Sequence, residues 1–198
     1  MNKYELTNET INHLVRPLYR IRALKDFADV KAGDFGGYIE KESNLSQDGI
    51  AWVYGNARVY GNARVCDSAR IGGDARVCDY AEVYGDARVY DYAQVYGDAR
   101  VCGYAQVCGR AWVGDSALVC GDARISSDFD YLYFRGFGRE ARPTTIFRTK
   151  DNTIMVKCGC FEGDLQQFEK QAHITHAGTK HEKEYMGVIA SAKAHFEV

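Results

Sequence analysis

Five histidines and seven cysteines are the side chains best suited to chemistry in this chain, and their placement decides what they can do. His13, His173, His176, His181 and His195 all stand towards the two ends. His173 and His176 are three residues apart and would share a helical face, with His181 shortly after. Such a trio could ligate a metal or carry a proton. No carboxylate or cysteine stands at ligand spacing, so the trio reads as polar residues at a helix end and its turn, where histidine suits the helix dipole. Cys158-Gly159-Cys160 has the wrong spacing for a zinc knuckle. On a strand both of its thiols would point to one side, into packing. Gly36-Gly37 alone is a weak phosphate-loop signal and reads as a tight turn. No catalytic residue, metal or cofactor is expected.

The other cysteines, Cys66, Cys78, Cys102, Cys108 and Cys120, occupy one slot of an internal repeat, a slot filled elsewhere by Tyr or Gly. A cysteine that exchanges with tyrosine is a surface filler, and free thiols are expected. Cys102 and Cys120 could lie close enough to oxidise.

The elements that position these residues follow from that repeat. From Val53 to Ile125 an aliphatic residue recurs every six positions without a gap, and an alanine stands two before each, from Ala51 to Ala123. A period of six excludes a helical face and suits a strand. In Ala87-Arg88-Val89-Tyr90, alanine and valine face one way, arginine and tyrosine the other. Gly or Asp, then Asn, Asp or Ser, follow as corner residues. One such unit cannot bury its apolar side, but stacked coils can.

This array resembles the hexapeptide-repeat family of left-handed parallel β-helices, over residues 51–126. The resemblance implies a triangular prism with 18 residues per coil, about four coils and about 20 Å long. Residues 1–50 read as an N-terminal strand and turn cap, 51–127 as the mainly β helix, and 128–198 as a small C-terminal α+β domain. In that last domain strands are expected at 131–134, 144–149 and 154–160, and helices at about 165–175 and 181–196. Many members of the family are acyl-coenzyme A-dependent transferases or zinc carbonic anhydrases, which place histidine in or beside the coils. Here no histidine lies in the array and no loop interrupts it. The acyltransferase reading therefore stays an alternative that needs a histidine from the tail.

Charge narrows the partners. The net charge is −2, evenly spread along the chain, with neither a basic stripe for a phosphate backbone nor the acidity of a DNA mimic. Direct nucleic-acid binding is not expected. The longest apolar runs fall far short of a membrane span, and residues 1–25 lack the apolar core of a signal peptide. A soluble protein of the cytoplasm is expected.

With valine and alanine inside, specificity must lie outside. The turn residue and the residue two later vary together: Asp86 precedes Arg88 and Asp98 precedes Arg100, whereas Tyr80 goes with Glu82, Tyr92 with Gln94 and Tyr104 with Gln106. The two versions alternate every twelve residues. An 18-residue coil stacks Arg64, Glu82 and Arg100, and leaves Arg70 beside Arg88. In the slot after the valine, each tyrosine meets a small neighbour one coil away and can lie flat over it. Tyr80, Tyr92, Tyr104, Arg88, Arg100 and Trp112 are the candidate binding residues, since tyrosine, tryptophan and arginine dominate binding hot spots. Trp52 is also outward by phase.

The stretch YELTNETINHLVRPLYRIRALKDFADVKAGDFGGYIEKESNLSQDGIAWVYGNARVYGNARV is similar to the leader of a group of phage and prophage proteins. These pair it with a hexapeptide array, and some carry a tail like IFRTKDNTIMVKCGCFEGDLQQFEK. The likeness implies a phage protein acting inside a bacterium by binding a host protein. One such role is inhibition of a defence such as a CRISPR nuclease (an anti-CRISPR). The other readings are an oligomeric sponge for a nucleotide signal, the acyltransferase, and a structural rod. A homo-oligomer through the C-terminal domain or a β-helix face is a further expectation.

Overall fold

The computed structural model describes residues 2–13 and 15–198. The array folds as a parallel β-solenoid. Thirteen two-residue strands, β4 (Trp52–Val53) to β16 (Arg124–Ile125), follow one another every six residues. The first ten each pair in parallel with the strand 18 residues on, as Val59 with Val77 and Val101 with Val119. Three sheets result. One carries Arg58, Arg76, Gln94 and Trp112 on its outer side. A second, the Arg70 sheet, carries Trp52, Arg70, Arg88, Gln106 and Arg124. The third, the Glu82 sheet, carries Arg64, Glu82, Arg100 and Leu118. The stacking of Arg64, Glu82 and Arg100 and the Arg70–Arg88 neighbours thus match the 18-residue expectation.

The repeated alanines and aliphatics, Ala51 to Ile125, line one continuous core and are almost wholly shielded from water. Burying each valine contributes about 1.5 kcal/mol before entropic costs. At the corners the first turn residue takes a left-handed backbone, which glycine adopts freely and aspartate tolerates. Asp67, Asp79 and Asp91 hold φ near +60° there. Their carboxylates accept from the N–H groups of Gly85, Gly97 and Gly109, each one coil further on. Aspartate at a corner therefore ties two coils together.

The solenoid is about five turns long rather than about four. Strands β1 (Tyr4–His13) and β2 (Arg16–Ala23) form an antiparallel hairpin, and β3 (Phe35–Ile39) joins it to the coils. Ile39 pairs with Val59 and Leu45 bridges Val65, so both already belong to the first turn. Both partners lie 20 residues on instead of 18, and in Ile39's rung Gly37 replaces the alanine, which conceals this turn from a period of six. Gly36 and Gly37 lie in strand β3 rather than in a turn. A Cβ on either would come within 2.6 Å of a backbone oxygen, of Val53 or Ala57 respectively. The hairpin also covers the open end: buried Lys3 donates to the carbonyls of Asp48 and Ala51, and the Tyr4 hydroxyl to those of Glu42 and Leu45. Trp52, outward by phase, is nonetheless buried, with its ring edge-on to Phe27 and Tyr4.

Beyond Ile125, strands β17 (Tyr131–Phe134), β18 (Thr144–Arg148), β19 (Ile154–Cys158) and β20 (Phe161–Asp164) form an antiparallel sheet. Helices α1 (Leu165–His176) and α2 (Lys180–Phe196) pack on it through Leu165, Phe168, Tyr185, Val188, Ile189 and Phe196. Asp164 caps α1 by accepting from Gln167 N–H at 2.7 Å. This sheet closes the far end of the solenoid. Phe147 joins the solenoid core, Thr145 accepts from Leu118 N–H, and Lys150 N–H donates to the Asp122 carbonyl. The strand expected through residue 160 ends at Cys158, because Gly159 has φ +60° and turns the chain into β20. Cys158 is buried and Cys160 exposed, so the two thiols do not share a side.

Candidate functional site

The six candidate binding residues do not share one surface. Like units recur every 12 residues, but a turn takes 18, so each repetition advances two thirds of the way round the prism. Tyr80, Tyr92 and Tyr104 therefore occupy three different corners, all well exposed at 61–67%. Arg88 lies on the Arg70 sheet, Arg100 on the Glu82 sheet and Trp112 on the hairpin's sheet. All six point outward, as the period implies, but they are spread over three corners and three sheets.

What the fold does assemble is an aromatic patch where the solenoid meets the C-terminal domain. Tyr92 N–H bonds to the Gly109 carbonyl, which places Tyr92 beside Arg110 on one corner. Trp112, on the adjoining sheet, is 52% exposed. Its N–H donates to Asp128 and its carbonyl accepts from the Tyr131 hydroxyl at 2.7 Å. Phe129, next to Asp128, is 78% exposed, and its carbonyl lies 3.0 Å from His195 Nε2. Phe129 follows the last repeat, so a search confined to the array misses it. A phenylalanine amid Ser126, Ser127 and two aspartates, Asp128 and Asp130, is the sequence signal that could have marked it.

The slot after the valine is used in two ways. Over most of the array the tyrosine covers the small residue one coil on. A Cβ added to Gly114 would meet the Tyr96 ring at 2.2 Å, so the ring lies on that glycine. The thiols of Cys78, Cys102 and Cys108, together with burial, raise the pKa values of Tyr60, Tyr84 and Tyr90, so each of these tyrosines lies near the cysteine one coil on. Gly72 differs, because nothing but Tyr54 Cβ comes within 4 Å of an added Cβ. The result is an open cavity of about 310 Å³ between Tyr54 and Tyr90.

All seven cysteines are free thiols. On the Glu82 sheet Cys102 and Cys120 adjoin, since Val101 pairs with Val119. A hydrogen bond from Cys120, helped by Tyr84 and the charge of Lys157, brings the Cys102 pKa down to about 6 against the opposing effect of burial. The same hydrogen bond and burial drive Cys120 upward.

The tail histidines sit at the turn joining α1 and α2, beside carboxylates that linear spacing did not reveal. His173 Nδ1 lies 2.6 Å from Glu182 and His181 Nδ1 lies 2.9 Å from Glu184. Glu182 and Glu184 also accept from Gly178 and Gly138 N–H. These bonds depress both carboxyl pKa values, each histidine being the larger cause. His176 packs its ring against Tyr185. The arrangement fastens one helix to the other and to the 134–143 loop.

A family model described as the YdcK beta solenoid repeat matches residues 51–68 and 93–109. Both stretches lie within the coils, and the match agrees with the parallel β-solenoid. No curated protein matches the chain. No helix among the described residues is long and apolar enough to cross a membrane.

Proposed function

We propose that this chain works by binding a partner protein through the aromatic patch at the junction of solenoid and C-terminal domain. The supporting observation is the exposure of both Trp112 and Phe129 at this junction, where Trp112 N–H is bonded to Asp128 next to Phe129, with Tyr92 and Arg110 at the neighbouring corner. Large aromatics and arginine are the residues that dominate interface hot spots, and fixed backbone lowers the entropic cost of using them. In its most concrete form the protein is a phage-encoded, non-enzymatic inhibitor of a host defence. It acts in the bacterial cytoplasm by covering a surface of a defence protein such as a CRISPR nuclease.

The test is capture from bacterial lysate with the tagged chain, alongside Trp112→Ala/Phe129→Ala. The native chain is expected to retain a defined host protein, and the double variant to lose it while keeping its melting temperature. Capture that is equally strong with the double variant removes the patch from the reading. An absence of any protein partner removes the reading itself.

A further inference from the structure

The charges of the array are balanced along the chain but not around it. Eight of its nine acidic residues are corner aspartates, Glu82 being the exception, whereas every arginine but Arg110 lies on a sheet. On the Glu82 sheet a carboxylate stands between Arg64 and Arg100, with Arg100 Nε 3.2 Å from Glu82. On the Arg70 sheet the outward ladder holds Arg70, Arg88 and Arg124 without a carboxylate among them. Asp29, from the loop between β2 and β3, engages Arg70 at 2.9 Å. Arg88 is exposed and pairs with no carboxylate among the described residues.

Beside this ladder lies the gap over Gly72. Its walls are Tyr54 and Tyr90, two coils apart, hence about 9.6 Å between backbones at the usual strand spacing. That admits one flat ring between two others. Both walls are tethered through their hydroxyls, and the Arg70 guanidinium lies over the Tyr54 ring, 5.9 Å from its centroid. The Tyr54 hydroxyl donates to Asp29 at 3.1 Å, and the Tyr90 hydroxyl donates to Gln106 at 3.2 Å. Burial raises the Tyr54 pKa to about 12, and the Cys108 thiol with burial does the same for Tyr90. Both walls are therefore uncharged phenols at neutral pH and do not repel an anion. The cavity of about 310 Å³ suits a single small ligand.

We propose that this slot binds a free nucleoside monophosphate, its base held between Tyr54 and Tyr90 and its phosphate on Arg88. The base stacks on the two phenol rings, which tolerate any base because every base has a π-face. The guanidinium offers paired N–H donors to phosphate oxygens. The slot holds one ring, which favours a free nucleotide over a strand. This inference concerns the Arg70 sheet and is independent of the aromatic patch proposed for protein binding.

Two substitutions use residues that the repeat itself places in these slots. Gly72→Tyr fills the gap on a backbone that already takes tyrosine at Tyr54 and Tyr90. Arg88→Gln copies Gln106 one coil on. Calorimetric titration of the full chain with adenosine 5′-monophosphate is expected to show saturable binding that Gly72→Tyr abolishes. Arg88→Gln should weaken it by about tenfold or more, the loss of a charge-assisted contact, and leave the affinity for adenosine unchanged. If Gly72→Tyr disturbs the coil, Gly72→Cys, the residue at Cys78 and Cys102, serves in its place. The proposal fails if adenosine 5′-monophosphate does not bind at millimolar concentration, or if binding survives both Gly72 variants. It fails equally if inorganic phosphate, a ten-nucleotide single strand or a Phe-Asp dipeptide binds more tightly than the nucleotide.

Discussion

On the sheet that carries the hairpin, Tyr96 lies across Gly114 and its ring occupies the space a side chain would take. On the Arg70 sheet, Tyr54 leaves Gly72 uncovered, although the two glycines stand in the same slot of the same repeat. The difference comes from neighbours outside the repeat. Asp29 in the cap loop holds the Tyr54 hydroxyl and Arg70 together, 3.1 and 2.9 Å away, and draws both to one side. Tyr96 has no such tether and settles on the next coil. A regular scaffold thus acquires a distinctive site where a non-repeating segment reaches over it, and elsewhere the same letters only shield backbone.

The interior is common to both sheets, and breaking it erases the comparison. Val89, on the Arg70 sheet, has no exposed surface, so Val89→Asp puts an unpaired carboxylate into a dry core. A loss above about 4 kcal/mol is expected, enough to unfold a domain of ordinary stability. Loss of the cooperative thermal transition in circular dichroism checks it. A smaller effect separates the two glycines. Gly114→Ala puts a methyl group against the tip of the Tyr96 ring, which must swing aside as the equivalent rings do over cysteine, and is expected to cost up to about 1 kcal/mol. Gly72→Ala meets its nearest atom at 3.9 Å and has no positive φ, so it is expected to be neutral or stabilising by up to about 1 kcal/mol. Equal destabilisation of the two variants in denaturant titration would show that the Gly72 gap is not open.

The prism was legible because an unbroken run of valine and alanine every six residues leaves a strand-and-corner coil as the only packed solution. Its stacked ladders followed from arithmetic, Arg64 with Glu82 with Arg100. The first turn was not legible, because Ile39 and Leu45 pair 20 residues on rather than 18. The helices of the tail followed from the cap at Asp164 and the apolar face from Tyr185 to Phe196. Strand β20 was missed because Gly159 hides a hairpin in what reads as one strand. Of the binding residues, outward direction was legible and adjacency was not: a 12-residue alternation on an 18-residue turn scatters Tyr80, Tyr92 and Tyr104. The burial of Trp52 and the tether on Tyr54 depend on residues 27 and 29, which no local pattern connects to the coils.

The third sheet sharpens the comparison without touching stability, since there the slot holds thiols rather than a bare glycine. Burial pushes the Cys66 and Cys78 pKa values up, whereas Cys120 donates to Cys102 and brings it to about 6. The sign follows: as pH rises through 6 the Cys102 thiolate accumulates in the folded chain, well below the ordinary thiol range. Iodoacetamide is therefore expected to alkylate Cys102 at pH 7 ahead of Cys66 and Cys78. Removing the donor with Cys120→Ala should move the Cys102 midpoint upward by one unit or more and slow the reaction at pH 7. Mapping the alkylated peptides by mass spectrometry reads both effects. An unchanged midpoint in Cys120→Ala would overturn the role of Cys120 and leave the low pKa to Tyr84, the filler on the other side of Cys102, and to Lys157.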